Sequence, residues 1–328
     1  MPSIRARAAL AGTGPIEPSL ALVIAAFGAI YLIWGSTYLA ILWVIASIPP
    51  LLMASGRFLF AGALLYGWLR IRGEPKPTGL QWRAAAVAGA LMLAGGNGAV
   101  VVAEQWVPSG LTALLVGGVP LWLVLLDALL GSKARPSRRA QLGLLGGFAG
   151  VALLVGAPGI GDGGSREIFG AILVVVGSAC WAGGSLYLRT APSPSNPLVL
   201  VSMQMLAGGL VLGVMSILAG EPAGFDVADV TLRSALALAY LVIFGSLVAY
   251  SAYVWLLTVT TPARVGTYAY VNPVIALLLG WAFAGEQVGF RSAVAAAIIV
   301  GSVILIVSEA RSVSERSKSV EPTVRRPR

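Results

Sequence analysis

Three charged side chains stand where the sequence is otherwise apolar: Arg57, Glu104 and Glu286. A charge in the hydrocarbon core of a membrane is costly, so each of them needs a partner or a purpose. Arg57 lies about seven residues into its apolar segment, and Glu104 ends the next segment in the same half of the membrane. We hypothesise that they form an ion pair, or that Glu104 binds and releases a proton. The simpler alternatives are that Glu104 lies among the headgroups and that Arg57 snorkels towards them.

Glu286 and Asp127 lie near the ends of other apolar segments. Glu286 is a second candidate for proton binding, although an acid at a membrane interface is common. Asp127 lies six residues before a basic loop. We expect it to reach Lys133 or Arg135 in that loop, which would be a structural role.

Uncharged polar and aromatic residues also fall in the middle of the apolar segments. Tyr250 and Tyr253, for example, share a helix face because they are three residues apart. Together such residues predict a cavity with aromatic walls and a few polar contacts, suited to amphipathic or amino-acid-like solutes. The alternative is that they only join helices and anchor the interface. The candidate residues are Trp34, Ser36, Thr37, Arg57, Asn97, Trp181, Gln204, Tyr250, Tyr253, Tyr268, Tyr270 and Asn272.

The composition excludes several other kinds of chemistry. The 328 residues include no histidine and one cysteine, Cys180, so Ser-His-Asp and Cys-His catalysis, thiolate clusters and intrachain disulfides cannot occur. The sequence also lacks the phosphate-binding pattern Gly-x-x-x-x-Gly-Lys-Ser/Thr, which excludes an ATP-driven pump within the chain. Because the acids are scattered as well, we expect no enzyme, no cofactor and no metal site.

The candidate residues lie on elements that the hydropathy defines. Of the residues, 58% are hydrophobic and only 11% charged, with a mean hydropathy of +0.88, whereas soluble domains carry roughly 25% charged residues. A helix of about 20 residues crosses a bilayer core of roughly 30 Å. We therefore expect an all-α integral membrane protein with ten transmembrane helices, at 20–42, 50–69, 84–104, 109–130, 140–156, 168–188, 197–218, 234–257, 265–284 and 292–308.

The basic residues predict how these spans are oriented. With the N-terminus in the cytoplasm, the cytoplasmic segments hold 18 of the 22 Lys and Arg residues and the outer segments only 3. This positive-inside pattern predicts that both termini lie in the cytoplasm. The net charge of +9 therefore reflects topology and contact with lipid, and we expect no nucleic-acid partner. The polar tails, 1–18 and 310–328, are expected to be disordered.

The chain also contains an internal repeat. We expect units at 19–157 and 166–309 with five spans each, so that the second enters the membrane from the opposite side. Inverted repeats are typical of secondary transporters, and paired helix breaks mark the transport sites of such proteins. Interior prolines at Pro120 and Pro273 predict such breaks, unless packing simply tolerates them. The recurring pairs are Trp34 with Trp181 and Arg57 with Gln204 at 147 residues, Pro120 with Pro273 at 153, and Pro108 with Pro262 at 154.

These stretches resemble the drug/metabolite transporter superfamily, specifically its EamA-type exporters and most closely the YedA-type subgroup. The resemblance implies ten helices in two inverted EamA repeats and a role in the efflux of metabolites or drugs from bacteria. One departure is Lys133, where many relatives have a glutamate, as this chain has Glu286 at the equivalent place in the second repeat. The matching stretches are IYLIWGSTYLA (30–40), RFLFAGALL (57–65), NGAVVVAEQWVPSG (97–110), VPSGLTALLVGGVPLW (107–122), SACWAGGSLY (178–187) and YAYVNPVIALLLGWAFAGE (268–286).

Sequence and resemblance together predict a secondary transporter that exports small metabolites, amino acids or drug-like solutes by alternating access. Its partners would be a small-molecule substrate, membrane lipid and protons as the coupling ion. A lipid or lipid-linked-sugar translocase with the same fold is an open alternative, because the sequence does not reveal whether a groove faces lipid. A non-transporting scaffold is a third class, but it would need neither an inverted repeat nor paired helix breaks. Neither the substrate nor the oligomeric state follows from the sequence.

Overall fold

The computed structural model describes residues 19–130, 137–155, 164–260, 262–287 and 289–319, and within these ranges the chain is helical without β-strands. One-turn helices at Glu221–Gly224, Val227–Asp229 and Pro262–Val265 lie between the longer elements. The longer helices are α1 (Leu20–Ile45), α2 (Pro50–Ile71), α3 (Gly79–Ala103), α4 (Ser109–Leu129), α5 (Arg138–Val155), α6 (Ser165–Tyr187), α7 (Pro197–Leu218), α8 (Leu232–Leu256, with a last turn to Val259), α9 (Tyr268–Ala284) and α10 (Phe290–Ser319).

Seven of these helices, α1 to α4 and α6 to α8, are long and apolar enough to cross a membrane. Helix α9 and the first part of α10, Phe290–Leu305, are apolar but shorter. The predicted all-α membrane class is therefore confirmed. Ten spans and two cytoplasmic termini stay predictions, as does the boundary between the repeats, since residues 156–163 lie outside the described ranges.

Local sequence explains where several helices begin. Thr78 precedes α3 and its hydroxyl accepts a hydrogen bond from the backbone N–H of Gln81 at 3.3 Å, while the Gln81 side chain accepts one from the Thr78 N–H at 2.9 Å. This reciprocal capping box satisfies two of the free N–H groups at the helix start. Helices α2 and α7 begin instead at Pro50 and Pro197, where a missing N–H costs nothing.

Helix α10 is longer than the sequence suggested. We expected a tail without regular structure from residue 310, yet the helix continues to Ser319. A physical reason is that no glycine or proline stands between Gly301 and Pro322 to end it. Residues 1–18 and 320–328, the rest of the two predicted tails, lie outside the described part of the chain.

Three spans contain a π-helical stretch: Ala29–Ile33 in α1, Ala90–Asn97 in α3 and Leu241–Ala249 in α8. The stretches in α3 and α8 are about 151 residues apart, close to the offset of the sequence repeat. A π-helical stretch shifts the register of the side chains that follow it and is often found at functional sites. These stretches bring small residues of α3 and α8 to the middle of the bundle.

The two halves of the chain pack through glycines at close range. A Cβ atom added to Gly89 of α3 would lie 2.6 Å from the carbonyl oxygen of Gln204 in α7, and one added to Gly208 would lie 2.8 Å from the carbonyl oxygen of Gly89. Helix α7 also crosses α2, where a Cβ on Gly209 would lie 3.0 Å from the backbone nitrogen of Leu59. Small residues are what allow membrane helices to approach this closely.

Acidic side chains also join the halves at the helix ends. After α7, Glu221 accepts hydrogen bonds from the N–H groups of Leu51 and Leu52 at 3.1 and 2.7 Å, and so caps the start of α2. After α2, Glu74 accepts one from the Asn196 side chain at 2.7 Å, directly before α7. Because Glu74 and Glu221 are 147 residues apart, each half supplies an acid to the other at equivalent places.

The two interior prolines sit differently in their helices. Helix α4 is interrupted at Gly117–Gly118, directly before Val119 and Pro120, so the first predicted break lies beside its proline. Helix α9, by contrast, continues through Pro273. The interruption in that region falls earlier, at residues 266–267, between Pro262–Val265 and α9. The second break was thus placed on the wrong residue, because a proline can be accommodated within a membrane helix that packs against neighbours.

Candidate functional site

A cavity of about 100 Å³ lies where α1, α2, α3 and α4 meet α6, α8 and α9. It therefore receives residues from both predicted repeats, and each of the three π-helical stretches ends or passes beside it. Its volume is small against the roughly 300–1,000 Å³ of typical ligand pockets, which favours a compact solute. The lining residues are Trp34, Thr37, Tyr38, Ile41, Arg57, Phe58, Leu93, Gly96, Asn97, Val100, Val116, Val119, Gly177, Ser178, Trp181, Gly245, Ser246, Tyr250, Tyr268 and Asn272.

One side of the cavity is aromatic. The Trp34 ring centroid lies 5.2 Å from that of Tyr268 and 6.3 Å from that of Tyr250, and it also lies 5.2 Å from Tyr253 outside the lining. Trp34 donates a hydrogen bond from Nε1 to the carbonyl oxygen of Gly245 at 3.2 Å, within the π-helical stretch of α8. These contacts fix the indole in place, so the cavity presents a rigid apolar wall.

Arg57 provides a positive charge on the cavity wall. Its side chain is 5% exposed, and Nε donates a hydrogen bond to the Ser246 hydroxyl at 2.8 Å. The guanidinium carbon also lies 4.9 Å from the Phe58 ring centroid, a weak favourable contact. The hypothesised pair with Glu104 is wrong for this structure, because neither Glu104 oxygen has a hydrogen-bond partner. Depth in the membrane can be estimated from sequence, whereas the direction in which a side chain points around its helix cannot.

Eight of the twelve predicted cavity residues line this space, and four do not. Ser36 hydrogen bonds to the Ile33 carbonyl at 2.8 Å and to the Tyr240 hydroxyl at 2.6 Å. Gln204 lies behind the wall, where its Oε1 accepts a hydrogen bond from the Tyr250 hydroxyl at 3.0 Å. The other two are Tyr253, packed on Trp34, and Tyr270, packed against the Ala269–Val303 cluster.

Two serines that sequence reasoning missed also line the cavity. Ser246 holds Arg57, and Ser178 is 4% exposed with no hydrogen-bond partner for its hydroxyl. Ser178 lies three residues before Trp181, a predicted cavity residue, so helical spacing was the signal that could have found it. Ser246 stands in the stretch GSLVAY, which ends at Tyr250 four residues later, and the same rule applies.

Asn272 connects α9 to the irregular part of α1. When its side-chain amide is oriented to suit the surrounding hydrogen-bond acceptors, the nitrogen donates to the carbonyl oxygens of Tyr31 at 3.2 Å and Ile30 at 3.3 Å, both in the π-helical stretch. The Tyr31 hydroxyl in turn bonds to Thr267 before α9. Backbone carbonyls left by an irregular turn need such partners inside a membrane. Asn272 thus combines a place on the cavity wall with a structural role.

The two candidate proton-binding acids have opposite surroundings. Glu104 follows α3 and is 3% exposed, and both carboxylate oxygens lack a hydrogen-bond partner. Glu286 follows α9, and its oxygens accept hydrogen bonds from the N–H groups of Ser109 at 2.6 Å and Gly110 at 3.0 Å, which caps α4. Glu286 is therefore held by two donors, whereas Glu104 is buried with none.

Asp127 forms an ion pair at the end of α4. It pairs with Arg189, whose Nη1 lies 2.7 Å from the Asp127 Oδ1, and both side chains are largely exposed. Lys133 and Arg135, the expected partners, lie outside the described ranges.

Within those ranges there is no group of three His, Cys, Asp or Glu residues that could hold a metal ion. We call the end of the bundle where Asp127 pairs with Arg189 the Arg189 end, and the opposite end, where Glu286 caps α4, the Glu286 end.

Comparison with known proteins decides the family. Two stretches of the chain, residues 20–156 and 168–308, match the model of the EamA-like transporter family. The chain belongs to this family. The two matches are similar in length, and together they cover the helices from α1 to the first part of α10 apart from the first three residues of α6.

Individual relatives agree with this assignment. The chain is 41% identical over 279 residues to the inner membrane transporter YedA of Escherichia coli (strain K12), covering 85% of this chain and 88% of YedA. It is 29% identical over 294 residues to protein PecM of Dickeya dadantii (strain 3937), covering 88% and 93% of the two chains. A solved crystal structure shares the fold, with a TM-score of 0.60 and 23% identity over 89% of this chain and 99% of the other.

Family and structure together establish the general class of the protein. It is a membrane transporter of the EamA-like family and not an enzyme. Seven apolar helices and the similarity to YedA place it in the inner membrane as a multi-pass protein. A transporter of this family acts on a small-molecule substrate within a lipid environment.

Proposed function

We propose that this protein exports small metabolites, amino acids or drug-like solutes across the bacterial inner membrane by alternating access. In this proposal the repeats 19–157 and 166–309 are inverted five-helix units, ten helices cross the membrane and both termini lie in the cytoplasm. The Glu286 end then faces outwards and the Arg189 end inwards. The cavity between the two units is the substrate site.

The observation that carries this proposal is the position of the cavity. It is lined by α1 to α4 from one half and by α6, α8 and α9 from the other. A site between two repeats becomes accessible from opposite faces when one repeat moves against the other. Glycines bring the backbones of α3 and α7 close together at the boundary between the halves, where the Leu93 side chain also packs against Gly208. In this proposal the repeats move against each other across that contact.

Glu104 is the residue that we propose for proton coupling. It lies on the same face of α3 as the cavity residues Asn97 and Val100, roughly 10 Å from Asn97 towards the Glu286 end. An ionised carboxylate there would be buried without a single donor, so the neutral, protonated form is favoured until water reaches it. Its titratable neighbours are Glu286 beyond α9 and Tyr38 of α1, both close enough for electrostatic interaction.

Glu286, the other candidate, fits a capping role better than proton coupling. Its two oxygens hold two N–H groups at the start of α4, and a proton on either oxygen would weaken both hydrogen bonds. We therefore assign the coupling role to Glu104 alone.

Uptake into inside-out vesicles tests the proposal. Vesicles containing the protein would be given a panel of amino acids, organic acids and drug-like amines, with and without a proton gradient that is acidic inside. We expect gradient-dependent accumulation of at least one class, and Glu104→Gln should lose the dependence on the gradient while still exchanging solute at equilibrium. Asp229→Asn, at an exposed acid near the Glu286 end, is the matched control and should behave as the parent.

Two outcomes would contradict the proposal. If Glu104→Gln accumulated solute as well as the parent at every gradient, the coupling role would be wrong although transport would stand. If no solute moved but fluorescent lipid crossed the bilayer, the protein would be a lipid translocase instead.

A further inference from the structure

The charge of the cavity shows what kind of substrate it is built to hold. Among the residues recorded in its lining, Arg57 alone carries a charge. An arginine side chain keeps its proton under all physiological conditions. In the described ranges the one ion pair is Asp127 with Arg189, at the Arg189 end, so no described carboxylate lies within 4.0 Å of the Arg57 guanidinium.

A buried cation without a counter-ion is costly, and the contacts on hand offset only part of that cost. The Ser246 hydroxyl takes the hydrogen bond of Nε, and the Phe58 ring provides a weak attraction. The structure records no hydrogen bond for either terminal nitrogen of the guanidinium. Those two nitrogens form the planar fork with which arginine holds carboxylates in a bidentate manner.

We propose that the substrate itself supplies the missing counter-ion, and that the cavity binds compact monocarboxylates through Arg57. This inference rests on the proposed function and narrows it, because the transported solutes would be organic anions. The Ser178 hydroxyl is a second donor for the carboxylate, since it lines the cavity, is 4% exposed and has no partner of its own.

The rest of the cavity defines the body of the substrate. Trp34, Tyr250 and Tyr268 form the aromatic wall, and Ile41 and Leu93 are apolar. Such walls suit a single ring or a short aliphatic chain next to the carboxylate, within about 100 Å³. A cationic amine would meet Arg57 without a compensating acid in the lining. A phosphate ester would bring two negative charges to one cation, so it too fits less well than a monocarboxylate.

The inference is tested by measuring the binding of three probes that share a cyclohexyl ring and are similar in size but differ in charge. Cyclohexanecarboxylate is the anion, cyclohexanecarboxamide its neutral equivalent and cyclohexylmethylammonium the cation, and none absorbs where tryptophan emits. Trp34 and Trp181 line the cavity, so their fluorescence in the purified full-length protein, with calorimetry as a second readout, reports occupancy. We expect the carboxylate to bind at least about tenfold more tightly than the amide, since a hydrogen bond to a charged group is worth about twice a neutral one.

Variants identify the residue responsible. Arg57→Gln should make the carboxylate and the amide bind equally. Arg57→Lys should keep part of the preference for the carboxylate, because lysine retains the positive charge but cannot form the bidentate contact of arginine. Ser178→Ala should weaken carboxylate binding by about threefold to tenfold and amide binding by less, because the bond to a neutral acceptor is weaker. Arg72→Gln is the matched control, because Arg72 packs over Trp68 beyond the end of α2 and away from the cavity.

The outcomes separate this inference from the proposed function. Equal binding of carboxylate and amide by the parent protein, a preference that survives in Arg57→Gln, or no binding of any probe would each overturn the inference. The parent measurement needs no variant, so it decides the matter even if Arg57→Gln fails to fold. Gradient-dependent uptake of other solutes would then still support export. Conversely, tight carboxylate binding without flux in vesicles would overturn export and leave the anion site standing.

Discussion

Replacement of Glu286 by glutamine tests whether this acid caps α4 or couples protons. The carboxylate accepts from the N–H groups of Ser109 and Gly110 at 2.6 and 3.0 Å. Glutamine has the same shape, but it can accept only one of these bonds, and its amide N–H₂ group would face the other donor.

The size of the effect follows from the two bonds. A hydrogen bond to a charged group contributes about 1.5–3 kcal/mol and a neutral one about 0.5–1.5 kcal/mol. Glu286→Gln loses one charged bond and weakens the other. It also loses the attraction between a negative charge and the helix start, roughly 0.3–1 kcal/mol. We expect the free energy of unfolding to fall by roughly 2–4 kcal/mol, and the dependence of transport on the proton gradient to persist.

Unfolding in mixed micelles with a rising fraction of sodium dodecyl sulfate, followed by tryptophan fluorescence, measures the first quantity. Vesicle uptake measures the second. Asp229→Asn removes one exposed acid near the same end and should leave both unchanged. The reasoning would be refuted by a Glu286→Gln protein that unfolds like the parent but has lost its response to the gradient, since that result belongs to a proton carrier.

Two further substitutions probe the same contacts. Gly280→Ala should destabilise the protein as Glu286→Gln does, because its new Cβ would clash with the Glu286 Oε2. Gly301→Ala is the control, because this helical glycine has open space around it, and it should be neutral or slightly stabilising in the same micelle titration. Tyr250→Phe should lower the free energy of unfolding by about 1–3 kcal/mol, because the Gln204 Oε1 would lose its hydrogen-bond donor. The Nε2 of the same amide already has no hydrogen-bond partner. Unchanged stability would show that water reaches this amide.

Much of the fold could be predicted because a membrane simplifies the problem. Runs of apolar residues give the positions of the spans, and residues such as Trp34 and Trp181 that recur at one offset reveal the repeat. The sequence does not fix the direction in which each side chain points around its helix. Arg57 and Glu104 lie at similar depths but face different neighbours, so their predicted pair does not form.

The candidate site was predicted only in part, for related reasons. The mid-span aromatics Trp34, Tyr250 and Tyr268 do surround one cavity, because rigid amphipathic rings are seldom placed in the middle of a span without a packing or binding reason. Ser178 and Ser246 were missed, since one serine in an apolar helix most often bonds to its own backbone. No hydropathy pattern reports a π-helical stretch, yet such stretches turn Gly96 and Gly245 towards the cavity.

The exchange of acids between the halves bears on how such a chain arose. Glu221 caps the helix that follows Pro49, and Glu74 holds Asn196, which stands 147 residues after Pro49. Contacts of the form "i to j and j to i" are those of a two-fold symmetric dimer. The two contacts are related but not identical, because Glu221 binds the backbone N–H groups of Leu51 and Leu52 whereas Glu74 binds the side chain of Asn196. Duplication of a unit that paired with its own copy would leave such an arrangement if the group bound by the acid changed in one copy.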